Sequence, residues 1–268
     1  MRLETISGDD PREMLRALRA AVLGSGPAIS LGMPAGAVDA AGNPVALEVP
    51  SGTAVVVTTS GSSGVPKSVM LSRSALTSSA LSTAARIGEG AWLLALPASY
   101  VAGLQVLVRS LVQGHEPAIL SGKFSAEAFT ATALGMVSSV GGTRVPSYTS
   151  LVPAQLGTLL DAAPHDSAVA EALRSFEAIL IGGQALPAAM AARADEFGVN
   201  VVRTYGSSET AGGCVYDGVP LDGVRVREVD GELQLGGPTL ADGYLGNPEL
   251  TAEVFVHEGG ERWYRTGD

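Results

Sequence analysis

Apolar and polar positions along this chain fall into two regimes. From Thr53 to about Gly206, short apolar runs alternate with longer stretches of helical periodicity. The runs 53–58, 91–96, 116–120, 136–140, 177–181 and 199–204 predict strands. A run such as Ala54-Val55-Val56-Val57, apolar without alternation, suits a strand covered on both faces. The stretches 73–86, 102–113, 125–134, 147–162, 167–175 and 187–197 predict helices, the first of them capped by Ser72. Asp10-Pro11 ahead of Arg12 to Leu23 predicts one more, with Pro in its first turn. Residues 25–52, rich in Gly, Pro and Ala, predict loop with at most a short strand. Such alternation implies α/β layering with mainly parallel sheets. After Cys214 the pattern shortens to strands and tight turns. Asp230-Gly231, between 225–229 and 232–235, predicts a hairpin with a type I′ turn. The expected division is a helix-and-loop lead-in (1–52), an α/β body (53–214) and a small β subdomain (215–268).

Composition narrows the class. The 268 residues are 46% hydrophobic and 16% charged, which fits a globular chain with ample core. A formal charge of −10 argues against nucleic acid or an anionic membrane as the main partner. One cysteine, Cys214, cannot form an intramolecular disulfide and suits a reducing cytoplasm. No apolar run has the length of a membrane span, and the start Met1-Arg2-Leu3-Glu4 lacks a signal-peptide core. The histidines His115, His165 and His257 are scattered, with no metal-ligand spacing to Cys214 or a paired acid.

The candidate chemistry begins directly after the first Val-rich strand. Thr58-Thr59-Ser60-Gly61-Ser62-Ser63-Gly64-Val65-Pro66-Lys67-Ser68 gathers hydroxyls, two glycines and one of only two lysines. Glycines let successive N–H groups converge on one anion, hydroxyls add donors, and Lys67 supplies a point charge for phosphate oxygens. Pro66 before the lysine excludes the common P-loop, which needs Gly there. No Gly-x-Gly-x-x-Gly follows the first strand, which disfavours a dinucleotide-binding dehydrogenase. A second constellation, Tyr205-Gly206-Ser207-Ser208-Glu209-Thr210, follows the strand ending near Arg203. Tyr205 offers a flat face for a purine, Gly206 a close backbone approach, and Glu209 a carboxylate for Mg²⁺ carried on phosphates. Ser-Ser-Glu-Thr reads equally as a plain helix cap. Gly182-Gly183-Gln184, before Pro187, makes a strand-to-helix turn.

The loop from Thr59 to Lys67 meets every specified position of [ST]-[ST]-G-[ST]-[ST]-G-x-P-K, so the chain resembles the acyl-adenylate-forming (AMP-binding) superfamily. Tyr205 to Glu209 matches that family's Y-G-x-[ST]-E, the Gly182-Gly183 turn its adenine-facing turn, and Tyr264-Arg265-Thr266-Gly267-Asp268 its Y-R-T-G-D. The resemblance implies the large N-terminal domain of adenylate-forming enzymes: layered α/β subdomains plus a small distorted β-barrel subdomain. It implies that Thr59, Ser60, Gly61, Ser62, Ser63, Gly64 and Lys67 hold ATP phosphates. Ser208 would hold an α-phosphate oxygen, Glu209 Mg²⁺, Gly182, Gly183, Gln184 and Tyr205 the adenine, and Asp268 the ribose, with Gly206 letting the backbone approach the nucleotide. Lys67, Ser208 and Glu209 would be the catalytic set.

Only 58 residues precede the loop. That short lead, with Leu96 to Leu111, Ser150 to Leu156 and Gly212 to Gly218, is similar to the actinobacterial o-succinylbenzoate–CoA ligases of menaquinone synthesis. The implied activity is ATP-dependent, Mg²⁺-dependent activation of o-succinylbenzoate through an acyl-AMP, then transfer to CoA, in the cytoplasm. A homodimer is compatible with this. Tyr100 stands where the family usually has a His that gates the acyl pocket. Tyr100, Gly103, Arg144 and Ser207 are the expected substrate contacts, with Arg144 pairing the second carboxylate from a loop beside Pro146. Family members continue into a C-terminal domain carrying a further lysine, so the expectation is an N-terminal domain that is nearly inactive alone. Other readings are a ligase for a different aryl or fatty acid, and a nucleotide-binding module without catalysis.

Overall fold

The computed structural model describes residues 1–6, 10–24, 26–31, 48–59, 66–136 and 139–268. Three sheets and eight helices make up the described chain, with one short separate hairpin. The first sheet runs Leu3–Thr5, Ala28–Leu31, Thr53–Thr59, Lys67–Ser72, Gly243–Tyr244. Its first three strands are parallel and the rest antiparallel. Residues before Thr53 therefore supply two strands of this sheet, more than a loop-rich lead-in would give. Lys67–Ser72 is also a strand that the hydropathy pattern did not show.

The second sheet holds seven strands, ordered Val219–Pro220, Gly212–Tyr216, Val201–Ser207, Ala178–Ile181, Ser147–Leu151, Ala91–Leu94, Ala118–Ile119. The last five are mutually parallel and the first two antiparallel. Ser147–Leu151 corrects the expected helix 147–162: the helix is only Pro153–Ala162, and the segment before it is a central strand. Pro146 and Pro153 bracket that strand. Its hydroxyls are satisfied inside the sheet, as where the Thr149 Oγ1 donates to the Leu93 carbonyl at 2.9 Å. The expected strand at 136–140 is Ser139–Val140, and it pairs with Thr143–Arg144 in the separate hairpin.

Alternation along each parallel strand sends side chains to two different cores. Trp92, Leu94, Ala178 and Leu180 join a large cluster with Leu76, Leu104, Leu107 and the first-sheet residues Val55 and Leu71. Leu93, Leu151, Ile179 and Ile181 point the other way, into a second cluster with Phe129, Leu156, Leu159 and Leu173. Helices Arg73–Ile87 and Val101–Gln113 thus lie between the first two sheets. Covering both faces explains why Ala91–Leu94 and Ala178–Ile181 read as unbroken apolar runs.

Local punctuation follows the sequence. Ser72 Oγ accepts from Ala75 N at 3.1 Å and Asp10 Oδ1 from Arg12 N at 2.9 Å, capping their helices. Asp230 and Gly231 both have positive φ (54° and 82°), as a type I′ turn requires. They close the hairpin Arg225–Val229/Glu232–Gly236 of a four-stranded antiparallel sheet completed by Glu261–Arg265 and Phe255–Glu258. Among the described residues, no helix is long and apolar enough to cross a membrane.

Candidate functional site

Four adjacent parallel strands, Ala91–Leu94, Ser147–Leu151, Ala178–Ile181 and Val201–Ser207, end on the same side of the second sheet. Their carboxyl ends and following turns enclose a cavity of about 450 Å³. Pro97, Val152, Gly183 and Ser208 each come from a different one of those ends, and Gln105 and Arg109 reach in from helix Val101–Gln113. A crevice outside strand carboxyl ends is where open α/β sheets bind ligands. Gly206 permits its closure: a Cβ there would lie 2.2 Å from the Gly212 carbonyl oxygen, beside a bulge between Tyr205 and Gly206.

Beside the cavity, Ser207 to Thr210 form one tight turn. Ser207 Oγ accepts from Glu209 N at 3.2 Å, and Ser207 N donates to Thr210 Oγ1 at 2.9 Å. The turn closes on Ala211, a non-glycine residue at φ 51°, whose carbonyl accepts from Gln105 Nε2 at 2.7 Å. Glu209 is 9% exposed, and its Oε1 accepts from the Tyr244 hydroxyl at 2.9 Å. Lys67, opposite Thr59 in the last pair before the connecting residues, places Nζ 5.6 Å from the Tyr244 ring centroid. Tyr205 donates to Asp268 Oδ2 at 2.5 Å. Burial first, and this bond to a carboxylate second, push the Tyr205 phenol up to about 12. Asp268 in turn belongs to a fixed turn: Glu232 accepts from Arg265 Nε at 2.9 Å and from Gly267 N at 3.2 Å, and Leu233 N donates to the Asp268 carbonyl at 3.0 Å.

Among the described residues, no group of three or more His, Cys, Asp or Glu could hold a metal ion. A lone buried carboxylate with one oxygen engaged suits an ion that brings its other ligands on phosphates. Glu209 fits Mg²⁺ of that kind.

The feature that sequence reasoning missed is Arg109. It is 3% exposed, and no carboxylate pairs with it among the described residues. Its Nη atoms reach Ser150 Oγ at 3.4 Å and the Tyr216 hydroxyl at 3.3 Å, its guanidinium lies 4.7 Å from the Trp92 ring, and Nε has no partner. Burial pulls its pKa down, with Tyr216 partly offsetting this. A charge buried without a counter-ion is costly unless a ligand supplies one. The signal was present: Val101–Gln113 is apolar on nearly every face, so an arginine within it has no route to water.

The structure brings together most of the expected residues and separates others. Gly182, Gly183, Gly206 and Ser208 line the cavity, with Tyr100, 59% exposed, at its mouth. Tyr205 and Asp268 meet each other, and Gln184 is exposed on the Gly-Gly turn. Ser60, Gly61, Ser62, Ser63 and Gly64 lie outside the described residues. Arg144 is a correction: it is not a cavity residue but an exposed partner of Glu177, at 3.0 Å, on the hairpin strand Thr143–Arg144. The turn at Pro146 directs that hairpin away from the strand carboxyl ends, because Arg144 precedes the amino end of Ser147–Leu151. Gly103 is a second correction, packed under the Pro97 carbonyl, where a Cβ would come within 2.2 Å, and not lining the cavity. Ser207 is committed to capping its own turn.

A family model described as AMP-binding enzyme matches residues 9–245. The chain belongs to the AMP-binding enzyme family. A probable 2-succinylbenzoate–CoA ligase of Mycobacterium tuberculosis is 45% identical over 224 residues, covering 82% of this chain and 55% of that protein. The chain therefore spans about half the length of the curated relatives it matches. Among solved family structures, a malonyl-CoA ligase with methylmalonyl-CoA and AMP bound superposes with a TM-score of 0.78 at 25% identity, covering all of this chain and 68% of that one. The o-succinylbenzoate CoA synthetase of Bacillus subtilis in complex with AMP gives 0.65 at 25% identity over 81% of this chain and 46% of that one. The fold is that of the N-terminal domain of adenylate-forming enzymes.

Proposed function

We propose that this chain is the nucleotide- and acid-binding part of an ATP-dependent, AMP-forming acid–CoA ligase, and that its acid is o-succinylbenzoate. The observation that carries the acid is Arg109, a guanidinium buried in an otherwise largely apolar cavity with no counter-ion among the described residues. o-Succinylbenzoate has two carboxylates: one is activated, and the other needs a cation within the pocket. Arg109 takes the role first expected of Arg144.

The chemistry joins two anions, so the residues act mainly by neutralising charge and fixing positions. Lys67 and the loop from Thr59 hold the β- and γ-phosphates, and Ser208 donates to an α-phosphate oxygen. Gly182, Gly183, Gln184 and Tyr205 frame the adenine, and Asp268 accepts from the ribose hydroxyls. A carboxylate oxygen of the acid bonds to the α-phosphorus while the bond to the β-phosphate oxygen breaks, giving acyl-AMP and pyrophosphate. The CoA thiol then displaces AMP, losing its proton as the thioester forms. Bound Mg²⁺, held by Glu209, supplies positive charge on the triphosphate. The same reading places the protein in the cytoplasm, where ATP and CoA are supplied.

Calorimetric titration with o-succinylbenzoate and with the ester of its aryl carboxylate tests this. The diacid should bind at least tenfold more tightly, by about the worth of one charged hydrogen bond. Equal binding of the ester, or tighter binding of an unbranched fatty acid, would overturn the assignment. In a chain of the curated relatives' length, pyrophosphate exchange should be stimulated by the diacid.

A further inference from the structure

One aromatic residue, absent from every motif discussed above, touches both charged groups of the triphosphate site. Tyr244 sits on the strand Gly243–Tyr244, antiparallel to Lys67–Ser72 and opposite Val69. Three backbone N–H groups pin this strand: Asp242 N donates to the Met70 carbonyl at 2.9 Å, Leu245 N to the Ser68 carbonyl at 2.8 Å, and Tyr244 N to the Thr251 side-chain Oγ1 at 2.9 Å. The side chain is 4% exposed and packs against Phe255, with ring centroids 5.9 Å apart. Little freedom remains for this ring.

Its two contacts differ in kind. The hydroxyl donates to Glu209 Oε1 at 2.9 Å, whereas the ring presents its face to Lys67 Nζ at 5.6 Å. The same segment also grips the Glu209 backbone, Ala241 N donating to its carbonyl at 2.8 Å. Among the described residues no donor reaches Glu209 Oε2.

The geometry points to Tyr244 as a positioning residue for the metal–triphosphate: its hydroxyl fixes the Glu209 carboxylate so that Oε2 faces a magnesium ion carried on the phosphates, and its ring holds the Lys67 ammonium beside them. This deepens the reading of the site as one for ATP and rests on it. A ring attracts an ammonium without neutralising it, so Lys67 keeps its full charge for the phosphates. A carboxylate held by one neutral donor likewise keeps its charge for a cation, which an arginine partner would have cancelled.

Two substitutions separate the two contacts. Tyr244→Phe keeps the ring and removes the hydroxyl, and Tyr244→Leu removes both. ATP binding is measured by calorimetry without metal and across a magnesium titration, with thermal melts to confirm folding. In Tyr244→Phe, metal-free ATP should bind as in the unaltered chain, while the magnesium concentration for half-maximal enhancement rises about tenfold. Tyr244→Leu should also lose metal-free ATP affinity severalfold. Unchanged magnesium dependence in Tyr244→Phe, or an equal loss with and without metal, overturns the inference alone. An unaltered chain that binds no nucleotide overturns the reading of the site, and this inference with it. If Tyr244→Leu does not fold, Tyr244→Phe decides.

Discussion

Replacing Arg109 by Met should move stability and acid affinity in opposite directions. In the free protein the guanidinium is 3% exposed, with hydrogen bonds no shorter than 3.3 Å and one donor without a partner. Against its desolvation stand the Trp92 face at 4.7 Å, worth up to about 2 kcal/mol when desolvated, and two weak bonds to hydroxyls. Exchanging buried ionic groups for apolar ones of similar volume is neutral or stabilises by about 1–4 kcal/mol. Methionine is flexible enough to fill the space beside Trp92. Urea unfolding should therefore show Arg109→Met at least as stable as the unaltered chain. Affinity for o-succinylbenzoate should fall about 10- to 150-fold, the equivalent of a charge-assisted bond of about 1.5–3 kcal/mol. ATP binding should not change. A variant destabilised by several kcal/mol with acid affinity intact would refute the reasoning, because Arg109 would then be a structural cation.

Three further outcomes are expected. Lys67→Ala should weaken ATP binding about tenfold or more through loss of one charge-assisted contact, with AMP much less affected, as read by calorimetry; equal ATP affinity would remove Lys67 from the phosphate site. Arg265 first, with the Gly267 N–H, holds the Glu232 carboxyl below the ordinary glutamate range. A carboxyl lowered on folding stabilises the Arg265–Asp268 turn fully above the usual glutamate range and loses that contribution as pH falls through the folded value. Affinity for ATP relative to its 2′,3′-dideoxy analogue should accordingly drop in that acidic window, and drop less steeply in Glu232→Gln. Burial pushes the Cys214 thiol up to about 11, so iodoacetamide should label it slowly at neutral pH in the folded chain and rapidly in urea; prompt labelling of folded protein would contradict its buried position.

The family and the Asp-Gly hairpin were legible because their signals are local, each carried by a few neighbouring residues. Ser147–Leu151 failed for the opposite reason. Its serines and threonine look polar in sequence, and only the neighbouring strand carbonyl and Arg109 show how the interior satisfies them. Lys67–Ser72 was hidden because it follows a Ser/Gly-rich stretch and one of its two partners, Gly243–Tyr244, is remote in sequence. Arg144 and Arg109 exchanged roles because a glycine-flanked arginine invites a loop role and an arginine in an apolar helix invites none. Which one meets the cavity depends on where the strands end, and no local spacing encodes that.

Helix Val101–Gln113 gives one element two duties. Leu104, Val106, Leu107 and Val108 fasten it between two sheets, while Gln105 and Arg109 on the same turns form part of the cavity wall. Changing which acid is accepted by altering this helix means repacking the centre of the molecule at the same time. Tyr100, 59% exposed at the mouth, carries no such duty. Drift in substrate preference among relatives should therefore accumulate around Tyr100, and leave the helix as the slowly changing part of the pocket.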